Sequence, residues 1–230
     1  MSDLGYIDRN LDRLYATGEA ASARAGVPLP KLVAVTKSAS DEEVLHLLSL
    51  GVCAIGENRP QNLVARGDLL AAAGYFPELH QIGTLQSNKA RLVAGRAALI
   101  HSLSSISLAK ELAKRARIEG ISIPVLIEIN SACEVQKDGV MPQDAERFLY
   151  SLSEYPELSV RGLMTMGPAG CTPDEIRGYF RKTRALFDTL GAQYGFGESP
   201  ILSMGMTDSY EVAIEEGSTM IRVGRKLFEK

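Results

Sequence analysis

The residues with most chemical potential lie near the two ends of the chain. Lys37 closes an apolar run, LVAVTK at 32–37. A lysine at the end of a buried strand sets its amine in the mouth of a fold, with its methylenes in apolar surroundings. Desolvation there disfavours the ammonium and frees the amine as a nucleophile toward an aldehyde. Taken alone, a strand-end lysine that simply extends to solvent is the plainer reading. Far along the chain, LSMGMTDS places Ser203 and Gly205 at the end of one apolar run. STMIRVGRKLF places Arg222 inside another, with Gly224 at its end. Glycines let backbone approach an anion closely, free N–H groups receive it, and a serine hydroxyl adds a donor. Ordinary turns explain the glycines equally well. Arg222 resists a plain reading, because a guanidinium inside an apolar strand needs an acceptor. A pyridine nitrogen is one candidate, and Glu128 or Glu57 is the plain alternative. A ring nitrogen facing arginine stays unprotonated, since guanidinium does not readily surrender a proton. Such a ring is a weak electron sink, although an amine–aldehyde bond can still form on it.

Those residues need elements to position them. Short apolar runs recur at 31–37, 54–58, 78–84, 99–104, 124–130, 160–166, 200–205 and 219–224. They are near-continuous in apolar residues, as strands covered on both faces should be. Amphipathic helical patterns separate them at 41–50, 61–73, 88–94, 106–119, 142–154, 173–193 and 208–216, and another precedes the first strand at 3–25. Ser40 reads as an N-cap, and Gly51, Gly74, Gly95, Gly120 and Gly217 as stops. Strand starts lie about 20–40 residues apart, the room a parallel crossover needs. The pattern predicts one α/β domain over residues 1–230, a single parallel (β/α)8 TIM barrel with an extra N-terminal helix. A doubly wound open sheet is the rival. Lys37, Asn58, Thr84, Asn130, Gly205 and Gly224 all fall at C-terminal strand ends. In a barrel those ends form one face, where sites are built.

Composition removes several function classes. A net charge of −3 offers no basic stripe for nucleic acid and no basic face for a membrane. No apolar run approaches the length of a membrane span, and the acidic, polar N-terminus lacks the apolar stretch of a secretion signal. Cys53, Cys133 and Cys171 are odd in number and far apart, which suits a reducing, cytoplasmic setting. His46, His80 and His101 form no metal-ligand pattern, so no metal is expected. Packing or a hydrogen bond suffices for His80, and the paired methionines at 164/166 and 204/206 read as pocket and core filler.

Several segments together resemble the pyridoxal phosphate homeostasis (YggS/PROSC-like) family, whose fold is similar to the N-terminal barrel of alanine racemase. The resemblance rests on LVAVTK (32–37), GEN with Gln61, HQIGTLQSNKARLV (80–93), VLIEIN (125–130), KDGV (137–140), RGLMTM (161–166) and LSMGMTDSYEVAIEEGSTMIRVG (202–224). It covers nearly the whole chain in the family's order. It implies pyridoxal 5′-phosphate as cofactor, held as a Schiff base on Lys37, with Asn58 lining the pocket. Ser203, Gly224 and Arg225 are implied as the phosphate cradle, with Met204 and Gly205 in the same loop, and Arg222 beside the pyridine nitrogen. Lys137 matches a second lysine kept beyond the fifth strand; a solvated loop lysine is its plain reading. Arg225 replaces the family's usual small hydroxyl residue, and Gln81 and Thr84 stand where an apolar residue and a proline are more common. The closing helix after the last strand reads as shortened or absent.

The implied role is vitamin B6 homeostasis: a monomeric carrier that stores the cofactor and passes it to apo forms of pyridoxal-phosphate enzymes, with no catalytic residues assigned. The alternative is a single-domain amino-acid racemase of low activity, with Lys37 as the base. Against it stands the lack of room for a second domain, and Tyr210 cannot be matched to a catalytic tyrosine. A barrel that binds another phosphorylated metabolite, with Lys37 in a mere ion pair, is the third reading.

Overall fold

Strand β1 (Lys31–Val35) pairs with β2 (Ala54–Glu57) on one side and β8 (Met220–Val223) on the other, which closes the sheet. Between them β3 (Glu78–Gln81), β4 (Leu99–Leu103), β5 (Ile123–Glu128), β6 (Leu158–Met164) and β7 (Ile201–Ser203) follow in sequence order, all parallel. This computed structural model describes residues 4–134, 136–168 and 170–230. The closed eight-stranded barrel settles the choice against an open sheet.

Helices cover the outside: α1 (Gly5–Ala25), α2 (Asp41–Ser49), α3 (Pro60–Ala72), α4 (Ala90–Val93), α5 (Ile106–Glu119), α6 (Ala145–Ser151), α7 (Pro173–Tyr194), α8 (Tyr210–Glu215) and α9 (Arg225–Phe228). The Asp3 start expected for the first helix lies outside the described residues. Ser40 caps α2 as expected, accepting from the Glu43 N–H while the Glu43 carboxylate accepts from the Ser40 N–H. The segment expected as one helix over 142–154 divides into 3-10 turns flanking α6.

The last helix, α9, is a single turn. The long α1 fills the space beside it, burying Ile7, Leu11 and Leu14 with Tyr210, Ile214 and Leu227. The Asn10 amide donates to the carbonyls of Leu227 (3.3 Å) and Glu229 (2.7 Å), so the N-terminal helix also holds the end of α9. Two sets of apolar contacts result. One lies between sheet and helices; the other is the barrel interior, where Val33, Ala54, Leu99, Leu126, Met164 and Met220 meet. No helix among the described residues is long and apolar enough to cross a membrane.

Candidate functional site at the C-terminal mouth of the barrel

Side chains alternate along a strand. Val33 faces the interior, the same parity turns Val35 inward, and Lys37 follows in the loop at the C-terminal end of the strand. β1 ends at Val35, and Lys37 lies one step beyond buried Thr36, where it is exposed. The apolar surroundings expected for its ammonium are therefore absent: the strand stops too early to draw the side chain inside. The loop carrying Lys37 is nevertheless tied down. The Thr36 N–H donates to the Gly56 carbonyl at 3.1 Å, and its hydroxyl donates to Glu57 at 2.6 Å. Arg66, reaching from α3, donates to the Ala39 carbonyl at 2.9 Å and also pairs with Asp41. Gly224 lies against this strand so closely that a Cβ there would sit 2.9 Å from the Val35 carbonyl oxygen.

Asn58 reaches the same rim from β2 and is exposed. Fully buried Gln81 donates its amide to the carbonyls of Asn58 (3.0 Å) and Gly83 (2.9 Å), which clamps two rim loops together. Thr84 donates to Asp138 at 2.8 Å, tying the loop after β3 to the loop after β5. Gln81 and Thr84 thus both serve as loop ties. Asn130 organises that second loop, donating to the Glu134 carbonyl at 2.8 Å and accepting from the Glu134 N–H at 3.2 Å. Lys137 sits in it, exposed and paired with Glu134 at 2.8 Å.

Below the rim lies a buried polar network. Arg222, on the inward face of β8, donates to the Ser203 hydroxyl at 2.5 Å and the Thr165 carbonyl at 3.0 Å. Burial lowers its pKa to about 10, against the attraction of Glu128, so it stays cationic at neutral pH. Glu128 of β5 is 4% exposed and its Oε2 has no hydrogen-bond partner. Burial pushes it up to about 7, with Asp138 adding repulsion and Arg222 opposing. Of the two carboxylates considered for Arg222, Glu128 is the one that acts on it. Glu57 points outward and pairs instead with Thr36 and Arg66 (3.6 Å).

Several expected site residues are placed differently from their neighbours. Ser203 is fully buried, and its hydroxyl is engaged by both Arg222 and His101 (3.1 Å). It lies beneath the rim. The Met204 side chain faces away from the interior and packs in the core between sheet and helices, because β-strand parity turns it opposite to Ser203. Gly205 is buried with φ +93°, and its carbonyl accepts from the Arg222 N–H at 3.0 Å. Arg225 opens α9 at the rim, so its N–H has no intrahelical acceptor, and its side chain pairs with Asp208. Tyr210 is buried in the cluster beneath α1. Lys37, Asn58, Arg222, Gly224 and Arg225 are thus drawn to one end of the barrel, while the Met204 side chain lies in the core outside it. Arg66 and Asp138 escaped sequence reasoning. Arg66 belongs to no motif, Asp138 lies in KDGV with only its neighbour Lys137 singled out, and each acts through a loop distant in the chain.

Residues 9–229 match the family model described as alanine racemase, N-terminal domain. The chain is 40% identical over 223 residues to the pyridoxal phosphate homeostasis protein of Aquifex aeolicus, covering 96% of this chain and 95% of that one. A crystal structure of a protein of unknown function from Bifidobacterium adolescentis superposes with a TM-score of 0.91 at 33% identity, covering 99% of this chain and 97% of that one. The structure of PipY from Synechococcus elongatus with pyridoxal phosphate bound has a TM-score of 0.79 at 32% identity, covering 92% and 99%.

Proposed function

The chain belongs to the pyridoxal phosphate homeostasis family, on the alanine racemase N-terminal fold, and from that premise we propose that it binds pyridoxal 5′-phosphate at the C-terminal mouth of the barrel. It acts in vitamin B6 homeostasis in the cytoplasm, holding the cofactor and passing it to apo-enzymes. The bound cofactor supplies an aldehyde, which Lys37 Nζ takes up as a Schiff base with loss of one water. Lys37 suits this because its amine is exposed at the rim while its loop is fixed by Thr36 and Arg66. The Arg222 guanidinium faces the ring nitrogen and, remaining charged, leaves that nitrogen without a proton. Gly224 and the free N–H of Arg225 receive the phosphate, and glycine at 224 lets this backbone lie close against β1, where a Cβ would sit 2.9 Å from the Val35 carbonyl oxygen. Ser203 serves by holding Arg222, and Asn58 lines the wall. Lys137, exposed on a loop tied across the mouth, is the candidate second amine for transfer.

The observation that carries this reading is the pairing of β1 with β8, whose register sets Val33 opposite Arg222 and so brings amine and guanidinium to one mouth. The test is spectroscopic. Adding the cofactor to the protein should produce a visible Schiff-base band that borohydride abolishes and Lys37→Ala lacks. No band in the unaltered protein would overturn the reading.

Racemase activity of low rate is the rival. A tyrosine base is not supplied by Tyr210, which packs beneath α1. Exchange of the Cα proton of alanine in heavy water above a Lys37→Ala control would favour the rival.

A further inference from the structure

Two of the chain's three histidines meet inside the barrel. His80 on β3 and His101 on β4 are 1% and 0% exposed, with Nδ1 of the first 2.9 Å from Nε2 of the second. An imidazole pair in a barrel interior is costlier than two apolar side chains unless its polar atoms are satisfied. Here they are satisfied in one continuous line, and its direction follows from elementary donor–acceptor chemistry.

Arg222 is a donor only. The Ser203 oxygen therefore accepts from it, at 2.5 Å. The single hydroxyl hydrogen of Ser203 goes to its other neighbour, His101 Nδ1, at 3.1 Å. His101 Nδ1 is then bare, so a neutral His101 carries its hydrogen on Nε2 and donates to His80 Nδ1. His80 in turn carries its hydrogen on Nε2, which lies 3.2 Å from Glu78 Oε2. The other Glu78 oxygen accepts from Lys31 Nζ at 2.5 Å. Glu78 and Lys31 lie at the N-terminal end of β3 and β1, the end of the barrel opposite the mouth.

We propose that His101 and His80 are positioning residues for Arg222, carrying a one-way chain of hydrogen bonds from its guanidinium, through Ser203, to the Glu78 carboxylate at the far end of the barrel. The chain fixes the Ser203 hydroxyl as an acceptor toward Arg222, and with the Thr165 carbonyl it sets the plane of the guanidinium. Both rings stay neutral in this arrangement. In agreement, burial, His80 and Arg222 hold His101 well below the usual histidine range. The charged groups facing the chain are Arg222 from β8, Glu128 from β5, Glu78 from β3 and Lys31 from β1. Protonation of His80 would reverse the two inner hydrogen bonds: His80 Nδ1–H would donate to His101, and His101 Nδ1–H to Ser203, while Arg222 would still donate to Ser203 and His80 Nε2–H to Glu78. The chain therefore has two distinguishable states, and the neutral one is assigned.

The chain holds only three histidines, so nitrogen-15 NMR of selectively labelled protein resolves the question, with His46→Gln assigning the third signal. Without cofactor and at neutral pH, His80 and His101 should both be neutral with the hydrogen on Nε2. A cationic His80 or a hydrogen on His101 Nδ1 would overturn the assignment. Only the consequence for affinity rests on the function proposed above. His101→Leu breaks the chain and should weaken pyridoxal phosphate binding about tenfold, the equivalent of one ordinary hydrogen bond. His101→Gln offers an amide oxygen to Ser203 and an N–H to His80, and should restore affinity while His80 keeps its Nε2 hydrogen. Equal affinities for the Leu and Gln variants would refute the positioning role. If the unaltered protein failed to bind the cofactor at all, the proposed function would fall, while the NMR result would still decide the chain.

Discussion

Substituting Glu128 by glutamine should make the protein more stable above neutral pH and change little in mild acid. Glu128 is 4% exposed on the inward face of β5, with one carboxylate oxygen unpartnered. Its pKa is pushed from 4.5 up to about 7, first by burial, then by repulsion from Asp138, with Arg222 pulling the other way. The folded protein therefore keeps this proton to higher pH than the unfolded chain does. Stability from the group is fully present below the unfolded value of 4.5 and is lost as pH rises toward about 7. At ~1.36 kcal/mol per pH unit, the whole loss is about 3 kcal/mol, of which about 2.5 kcal/mol falls between roughly pH 5 and pH 8. Glutamine keeps the shape and the hydrogen-bonding capacity without ionising. Urea unfolding of both proteins at those two pH values, followed by circular dichroism, measures the difference. The variant should gain about 2–3 kcal/mol relative to the unaltered protein on going from acid to base. A stability difference that is flat with pH would show that the carboxyl is not held neutral, and a larger loss in the variant at high pH would show that Arg222 depends on its charge.

Gly205→Ala should lower stability by about 1–3 kcal/mol, because φ +93° is strained for alanine and the new Cβ would lie 2.5 Å from the Ala213 Cβ; the urea midpoint reads the loss. Gly178→Ala on the exposed face of α7 meets nothing within 4 Å and should instead raise stability by up to ~1 kcal/mol. Thr172 and Glu175 form a reciprocal cap at the start of α7, so Thr172→Ala should cost about 1 kcal/mol in the same assay.

The apolar runs and the helical periods between them were legible because they are local. A strand buried on both faces must be continuously apolar, a helix on a barrel must show one apolar face, and Ser40 three residues before Glu43 marks a helix start in any context. Strand order and closure were within reach for the same reason, since short parallel crossovers leave few topologies. That Lys37 follows β1 and that Arg222 lies inside β8 could likewise be read from the chain.

What each of these groups touches could not. Lys37 is exposed because β1 ends at Val35, a limit set by its pairing with β2 and β8 rather than by its own residues. Ser203 is spoken for by His101, 102 residues away in the chain, and Arg222 by Thr165, 57 residues away. The rim ties made by Arg66, Gln81 and Asp138 depend on loops that meet only once the barrel closes. Periodicity tells a side chain which face it occupies. Register between strands, fixed by the packing of the whole barrel, decides which partner waits there.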